Sequence, residues 1–183
     1  MNKTDLSKYR NNYYKPGSFV KRYLWYFFNI IFFKSYWFPL SRIKVNILRL
    51  FGAEIGRGVV IKPSVNIKYP WNLKIGDHVW IGEEVWIDNL DLVTISDHSC
   101  ISQGAMLLCG NHNFSSSSFD LIIKPILLEN GVWIGAKSTV CPGVKIFSHA
   151  VLSAGSIATS NLESYSIYQG NPAIKIKHRV INQ

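Results

Sequence analysis

One histidine of the chain lies in a setting that suits acid–base chemistry. His112 is found in the stretch GNHNF (residues 110–114), which is followed by a run of serines at 115–118. An imidazole can accept a proton near neutral pH, so a histidine held beside a hydroxyl can act as a general base. A lone histidine is more often structural, but the polar neighbours of His112 make it a candidate catalytic residue.

The three cysteines offer a second chemistry. Cys100, Cys109 and Cys141 are an odd number and form no Cys-x-x-Cys pair. This usage argues against a disulfide framework or a zinc ribbon and favours a reducing cytosol. Cys109 stands near His112 in the sequence, but a Cys–His nucleophile also needs spatial contact and an orienting partner. We interpret Cys109 as a buried structural residue.

The elements that must position His112 are predicted by a repeat of six residues. Helices have a period of 3.6 and strands a period of 2, so a period of six indicates a short strand, a tight corner and another short strand. Three hexads make one triangular coil of about 18 residues, and fifteen hexads make about five coils of parallel strands. Fourteen of the fifteen repeat positions are Ile, Leu or Val: Ile55, Ile61, Ile67, Ile75, Ile81, Ile87, Ile95, Ile101, Leu107, Leu128, Ile134, Val140, Ile146 and Leu152, with Ala158 the exception.

The repeat is interrupted three times, each time after three hexads. Two extra residues precede Ile75, two precede Ile95 and fifteen precede Leu128. Because three hexads complete one coil, all three insertions must leave the solenoid at the same corner. Functional loops cluster in this way on rigid scaffolds. We therefore predict a functional site along one edge, formed by residues 69–71, 88–91 and the loop 108–127.

Metal binding is the alternative suggested by the remaining histidines. His78, His98 and His149 share one corner position of the hexads, and His178 lies in the basic tail. No pair of them has the close spacing typical of zinc ligands. We expect no metal.

Composition and charge divide the chain into unlike parts. Hydrophobic residues make up 48% and charged residues 17% of the 183 residues, which favours one folded domain over disorder. Residues 1–62 contain twelve Lys or Arg and two acids, whereas the remainder contains eight and nine. We divide the chain into a basic, aromatic, helical segment (1–50), the solenoid (51–160, including loop 108–127) and a C-terminal extension (161–183).

The basic segment contains the one stretch with membrane character. Residues 19–38 (FVKRYLWYFFNIIFFKSYWF) have too short an apolar run for a spanning helix, which needs roughly 20 residues. Aromatic and basic side chains together are typical of a helix at a membrane interface, and packing on the protein is the equal alternative. The first residues lack a secretory signal. We expect a cytoplasmic protein, peripheral to the inner membrane in the first case, with no nucleic-acid partner.

The hexads, the loop with Asn111-His112 and the stretch GNPA (170–173) together resemble the hexapeptide-repeat acyltransferases. The chain is similar to the maltose, galactoside and nodulation O-acetyltransferases, and closer to the colanic-acid-type exopolysaccharide acetyltransferases. The closer likeness is carried by LRLFGA (48–53), IKP (61–63), KYPW (68–71), VWIDN (85–89) and CISQG (100–104). The resemblance extends from about residue 20 to 178. It implies a left-handed parallel β-helix, a homotrimer and active sites between neighbouring subunits.

The resemblance also implies roles for residues on the acceptor side. His112 corresponds to the general base of the family. Asp88 and Asn89 match an acid–amide pair that contacts the sugar acceptor, and Asn111 stands beside the base. The orienting partner of His112 is open, with Glu129 and Asp120 as candidates.

On the donor side, the resemblance implies contacts to acetyl-CoA. The corners Gly135-Ala136 and Ala154-Gly155 match backbone contacts to the pantetheine arm, and Thr159 matches a residue near the nucleotide. The basic residue that the family places after Gly-Asn-Pro is displaced here to Lys175 and Lys177. The contacts to the phosphates are therefore the least supported of these roles.

These features predict an acetyl-CoA-dependent O-acetyltransferase that acts on a sugar hydroxyl in exopolysaccharide or capsule biosynthesis. The same base would serve a nitrogen acceptor, so an N-acetyltransferase acting on an amino sugar is an alternative. A non-catalytic binding solenoid would function without His112. A zinc-dependent, hydratase-like solenoid would contain stoichiometric metal.

Overall fold

The structure is a computed structural model that describes residues 3–182, and its main body is a three-sided solenoid. Residues 1–2 and 183, at the ends of the predicted first and third segments, lie outside it. Each coil contributes one short strand to each of three parallel sheets. The first three coils consist of β1 (Glu54–Ile55), β2 (Val60–Ile61) and β3 (Asn66–Ile67); β4 (Leu73–Ile75), β5 (Trp80–Ile81) and β6 (Trp86–Asp88); and β7 (Val93–Ile95), β8 (Cys100–Ile101) and β9 (Met106–Leu108).

The fourth and fifth coils follow a two-stranded excursion. The excursion is formed by β10 (Gly110–His112) and β11 (Leu121–Ile123). The two coils consist of β12 (Ile126–Leu128), β13 (Trp133–Ile134) and β14 (Thr139–Val140), and of β15 (Lys145–Ile146), β16 (Val151–Leu152) and β17 (Ile157–Ala158). The strand order is β1-β4-β7-β12-β15 in the first sheet, β2-β5-β8-β13-β16 in the second and β3-β6-β9-β14-β17 in the third.

The predicted hexad positions form the core of the solenoid. In the second sheet, Ile61 pairs with Ile81, Ile81 with Ile101, and Ile101 with Ile134, so equivalent side chains lie directly above one another. Fourteen of the fifteen hexad side chains are buried, and Ile55 in the first coil is partly exposed. Each fully buried aliphatic side chain contributes about 1.5–3 kcal/mol. The prediction of a solenoid of about five coils is confirmed.

The stack continues beyond the predicted solenoid into the C-terminal segment. Leu162 bridges to Ile146, and β18 (Ser166–Gly170) pairs in parallel with β16. β19 (Ala173–His178) then turns back and pairs antiparallel with β18, which ends an incomplete sixth coil. The hexad analysis missed this coil because Leu162 follows Ala158 after four residues instead of six.

The corner histidines are part of the scaffold. His78, His98 and His149 have positive φ angles of 57°, 57° and 62°. The His78 and His98 rings stack at 5.3 Å, and the His149 ring stacks on Tyr165 at 4.7 Å. No group of three or more His, Cys, Asp or Glu suited to hold a metal ion occurs within residues 3–182.

After a short 3-10 helix (Leu6–Lys8), two α-helices of the described chain precede the solenoid and pack on its first coils. They are α1 (Phe19–Phe28), which continues into a π-helical turn (Asn29–Phe33), and α2 (Ser41–Leu50). Trp25 and Phe33 are buried against the core, and the Trp25 indole N–H donates to the carbonyl oxygen of Ile67 at 2.9 Å. The helices of the described chain lack the combined length and apolar character needed to cross a membrane.

Candidate active site

The three insertions lie on one another along a single edge, as predicted. The Asn89 side chain joins the first two: its Oδ1 accepts from the Tyr69 N–H at 2.9 Å, and its amide donates to the carbonyl oxygens of Tyr69 and Asn72. The Cys109 N–H donates to the carbonyl oxygen of Asp88, and this bond joins the third insertion to the second. We call this edge the insertion ridge.

The long loop 108–127 is a β-hairpin arm. Its strands β10 and β11 pair antiparallel, with Asn111 opposite Ile122 and His112 opposite Leu121. The serine run forms part of the tip between them. The hairpin fixes the backbone of His112, because this residue lies in a paired strand and not at the tip.

The His112 ring is oriented by the hairpin itself. Its Nδ1 lies 2.9 Å from the carbonyl oxygen of Phe119, and its ring stacks on the Phe119 ring at 4.4 Å with an angle of 8°. A carbonyl can only accept, so Nδ1 carries the proton and donates, which leaves Nε2 as the acceptor. This is the tautomer that a general base requires.

Neither acid proposed from the sequence orients His112. The Glu129 carboxylate accepts hydrogen bonds from the N–H and hydroxyl of Ser148, and the Asp120 carboxylate accepts from the Ser118 hydroxyl. The Phe119 carbonyl orients His112 instead of an acid. Because every residue has a backbone carbonyl, the sequence could not identify this partner.

A polar cavity of about 600 Å³ opens beside His112. Within it, Lys68 Nζ and Asp88 Oδ1 form an ion pair at 2.9 Å. The cavity is lined by Tyr9, Asn11, Tyr14, Pro16, Arg22, Lys68, Tyr69, Asp88, Leu90, Gly110, His112 and Leu121. Gly110 packs closely against Leu90 in the wall, because a Cβ at this position would lie 2.6 Å from the Leu90 side chain. We call this space the base cavity.

The N-terminal residues close one side of the base cavity, which the sequence analysis missed. The Asp5 N–H donates to the carbonyl oxygen of Ser117 at 2.8 Å, and the Tyr14 hydroxyl donates to that of Leu90 at 2.8 Å. Burial raises the pKa of Tyr14 above its ordinary value. The Tyr9 ring lies 6.0 Å from the His112 ring. The sequence signal that could have indicated this closure is the group of tyrosines at positions 9, 13 and 14 in an otherwise polar stretch.

The predicted acceptor residues occupy different positions. Asp88 lines the base cavity, whereas Asn89 is fully buried and its side chain is bonded to backbone groups of the ridge. Asn111 is exposed, and its Oδ1 accepts from the His112 N–H at 2.8 Å. Of the three predicted acceptor residues, Asp88 is therefore the one that lines the base cavity. The side chains of Asn89 and Asn111 bond to backbone groups near the cavity.

A second cavity, of about 760 Å³, lies on the second sheet. Gly135, Ala136, Ala154 and Lys177 line it, as does Arg179. A Cβ on Gly135 would lie 2.4 Å from the Ala154 nitrogen, so only glycine allows this close approach of the two coils. We call this space the donor cavity.

The other predicted donor residues lie outside the lining of the donor cavity. Gly155 has a φ of 67° and open space where a Cβ would be. Thr159 is exposed at the end of the last complete coil. Lys175 pairs with Glu163 at 2.7 Å, which also lowers the pKa of that carboxyl.

The two cavities belong to different corners of the solenoid. The insertion ridge follows the strands of the third sheet, whereas Gly135 and Ala154 follow β13 and β16 of the second. One side of six residues spans roughly 20 Å at about 3.3 Å per residue. The two linings have no residue in common.

Cys109 is unsuited to be a nucleophile. It is fully buried, and its Sγ lies 3.6 Å from the carbonyl oxygen of Asp91. Burial raises the pKa of the thiol to about 12, so the reactive thiolate is absent at neutral pH. The interpretation of Cys109 as a buried structural residue agrees with this position.

Comparison with known proteins identifies relatives along nearly the whole chain. No family model matches the chain. It is 38% identical over 169 residues to a protein of Escherichia coli (strain K12) named colanic acid biosynthesis acetyltransferase WcaF, and the match covers 91% of this chain and 92% of that protein.

Solved structures share the fold. A hexapeptide-repeat-containing acetyltransferase from Vibrio cholerae has a TM-score of 0.79 at 21% identity, covering 87% of this chain and 90% of that chain. A galactoside acetyltransferase solved in complex with coenzyme A has a TM-score of 0.77 at 25% identity, covering 87% and 80%.

The burial of Cys109 leads to a labelling prediction. In the native protein at pH 8, we expect Cys109 to resist a thiol reagent, because its pKa of about 12 keeps it protonated, and to react after denaturation. Mass spectrometry of labelled peptides measures this, and the half-buried Cys100 and Cys141 serve as internal references. Rapid native labelling of Cys109 would contradict the structural role.

Proposed function

The chain belongs to the hexapeptide-repeat acetyltransferases of the colanic-acid type, and we propose that it transfers the acetyl group of acetyl-CoA to a sugar hydroxyl in exopolysaccharide or capsule biosynthesis. The observation that carries the proposal is the hydrogen bond between His112 Nδ1 and the Phe119 carbonyl. It leaves Nε2 as a proton acceptor on a residue that lines a polar cavity.

In the proposed reaction, His112 Nε2 takes the hydroxyl proton while the sugar oxygen attacks the thioester carbonyl carbon. The tetrahedral intermediate collapses, the carbon–sulfur bond breaks, and the imidazolium returns its proton to the sulfur of CoA. A base in this role supplies about 10²–10⁴ in rate. Backbone N–H groups are the candidate donors to the oxyanion.

The donor cavity supports the binding of acetyl-CoA. The small residues Gly135, Ala136 and Ala154 leave room for an extended pantetheine arm beside backbone groups. Lys177 and Arg179 supply positive charge for the phosphates at the same cavity. Contacts of Gly155, Thr159 and Lys175 with the cofactor stay predictions.

The separation of the two cavities supports an active site built by two subunits of a homotrimer. A base must come within hydrogen-bonding reach, about 3 Å, of the reacting hydroxyl, and the thioester must meet the same hydroxyl. Since the cavities open at different corners, His112 of one subunit would act on acetyl-CoA held by a neighbour. Rotation about a threefold axis would create three such sites.

The outer face of the helices supports peripheral attachment to the inner face of the cytoplasmic membrane. Phe19, Trp37 and Leu50 expose 72%, 66% and 79% of their surface, and Arg42 and Lys34 are exposed cations of the same segment. Apolar side chains would enter the lipid, and the cations would face anionic headgroups. Attachment would hold the enzyme where lipid-linked glycans are assembled.

Replacement of the proposed base tests the chemistry. His112→Asn removes the proton acceptor, so we expect kcat to fall by about 10²–10⁴ with little change in the KM for acetyl-CoA. Thiol release from acetyl-CoA with sugar acceptors measures both constants. The matched control is His98→Asn, since His98 lies at a corner with φ of 57° that asparagine tolerates. Equal activity of the two variants would refute the role of His112.

Complementation tests the shared site. His112→Asn removes the base, and Ala154→Trp fills the donor cavity, so each variant alone should be inactive. In trimers assembled at random from equal amounts, about a quarter of the sites would combine an intact base with an intact donor cavity. We expect about a quarter of the wild-type activity. No recovery in mixed trimers would show that each subunit holds a complete site.

Flotation with liposomes tests the membrane proposal. We expect the protein to float with vesicles that contain anionic lipid and to be released by high salt, because charge attraction is screened. Trp37→Ser should reduce flotation, whereas Phe114→Ser should not, although Phe114 on the hairpin tip is more exposed than Trp37, at 79% against 66%. Absence of binding to both anionic and neutral vesicles would discard the proposal.

A further inference from the structure

A cavity of about 390 Å³ lies between α1 and the third sheet and adjoins the base cavity. Arg22, Lys68, Tyr69 and Asp88 line both spaces, so the two cavities are adjacent. Each cavity alone is within the range of about 300–1,000 Å³ that small-molecule sites occupy. A single sugar ring at His112 would leave the cavity under α1 empty. We call that space the helix cavity.

Three buried polar atoms of residues that line the helix cavity make no hydrogen bond in the described part of the chain: Arg22 Nε, Asn29 Oδ1 and Asp88 Oδ1. Asp88 Oδ1 is held by its ion pair with Lys68 Nζ at 2.9 Å, which leaves Arg22 Nε and Asn29 Oδ1 without a partner. Asn29 is 8% exposed, and its amide is held by Asn66 Oδ1 at 2.9 Å, which leaves its oxygen free at the cavity. Buried polar groups are nearly always paired in folded proteins. These two atoms therefore point to a polar ligand with both an acceptor and a donor.

The charge of the helix cavity is positive. Arg22, Lys34 and Lys68 line it, and Asp88, the acid among its lining residues, is paired with Lys68 at 2.9 Å. Arg22 and Lys34 have no carboxylate within 4.0 Å in the described part of the chain. Two cations without a partner at one cavity favour an anionic ligand group.

Aromatic rings provide the rest of the helix cavity. Trp86 and Tyr26 line it and expose 40% and 59% of their surface, and Tyr69 lies where it meets the base cavity. Flat apolar faces beside a few polar groups suit sugar rings, which present C–H groups on one face and hydroxyls at the edge. The lining thus combines a surface for sugar rings with a site for an anion.

We propose that the helix cavity is a second acceptor subsite, which binds an anionic unit of a glycan while a neighbouring sugar of the same glycan presents its hydroxyl to His112. The inference rests on the proposed function and specifies its substrate class: an oligosaccharide that carries a carboxylate or a phosphate. Arg22 and Lys34 hold the anion, and the Asn29 oxygen accepts a hydrogen bond from a glycan hydroxyl.

Matched acceptors test the subsite. The probes are a neutral trisaccharide, the same trisaccharide with one terminal uronic acid, and a disaccharide linked to diphosphate. We expect a KM for the preferred anionic acceptor about 10-fold or more below that of the neutral one, because a charge-assisted hydrogen bond is lost with the latter. Comparison of the uronic acid with the diphosphate identifies the source of the anion.

Substitution at Lys34 distinguishes this inference from the proposed function. Lys34→Gln should raise the KM for the anionic acceptor about 10-fold more than that for the neutral one. The matched control Lys145→Gln, at an exposed position of β15, should leave the ratio unchanged. If no acceptor is acetylated, the proposed function fails. If both acceptors are acetylated and Lys34→Gln affects them equally, transfer stands and the anionic subsite is overturned.

Discussion

The stacking of one buried aliphatic side chain on the next, from coil to coil, is the constraint on which the rest of the molecule depends. In the second sheet, Ile81, Ile101 and Ile134 occupy one column, and every coil must return the chain to the same place to keep it. Extra residues therefore cannot enter a face and must leave at a corner. All three insertions use the corner after the third sheet, where they stack and bond to one another. The single edge that carries the candidate site follows from the geometry of the core.

The hairpin arm places the candidate base, His112, on that edge. Pairing of β10 with β11 fixes the backbone of His112, and the Phe119 carbonyl and ring fix its imidazole. A neutral carbonyl fixes the tautomer of His112 and, unlike an aspartate, adds no negative charge beside the ring. The N-terminal residues then close the base cavity from the other side through hydrogen bonds to the ridge and the hairpin. The site is thus assembled from segments that are distant in sequence around one rigid scaffold.

The N-terminal helices have side chains that pack on the core and side chains that are exposed on the surface of the protein. Trp25 and Phe33 pack inward on the core, which supports the packing interpretation of residues 19–38, while Phe19 and Trp37 stay exposed, which supports the interfacial one. The two interpretations are compatible because a helix has two faces. The excess positive charge of this segment is divided in the same way. Arg22 and Lys34 line the helix cavity, whereas Arg42 is exposed on α2 and the Arg49 guanidinium donates to the carbonyl oxygens of Ile55 and Gly56.

The sequence by itself determined the features of the fold that repeat from coil to coil. The period of six identified the solenoid and its core, and the positions of the breaks placed His112 and Asp88 on one edge, since local repetition encodes which side of each strand is buried. Contacts that do not repeat from coil to coil were decided by the tertiary structure. The Phe119 carbonyl beside His112, the burial of Asn89 and the closure of the base cavity by Tyr14 join backbone groups that any residue carries, or segments as far apart as 76 positions. No side-chain pattern marks such contacts, so only the folded chain decides them.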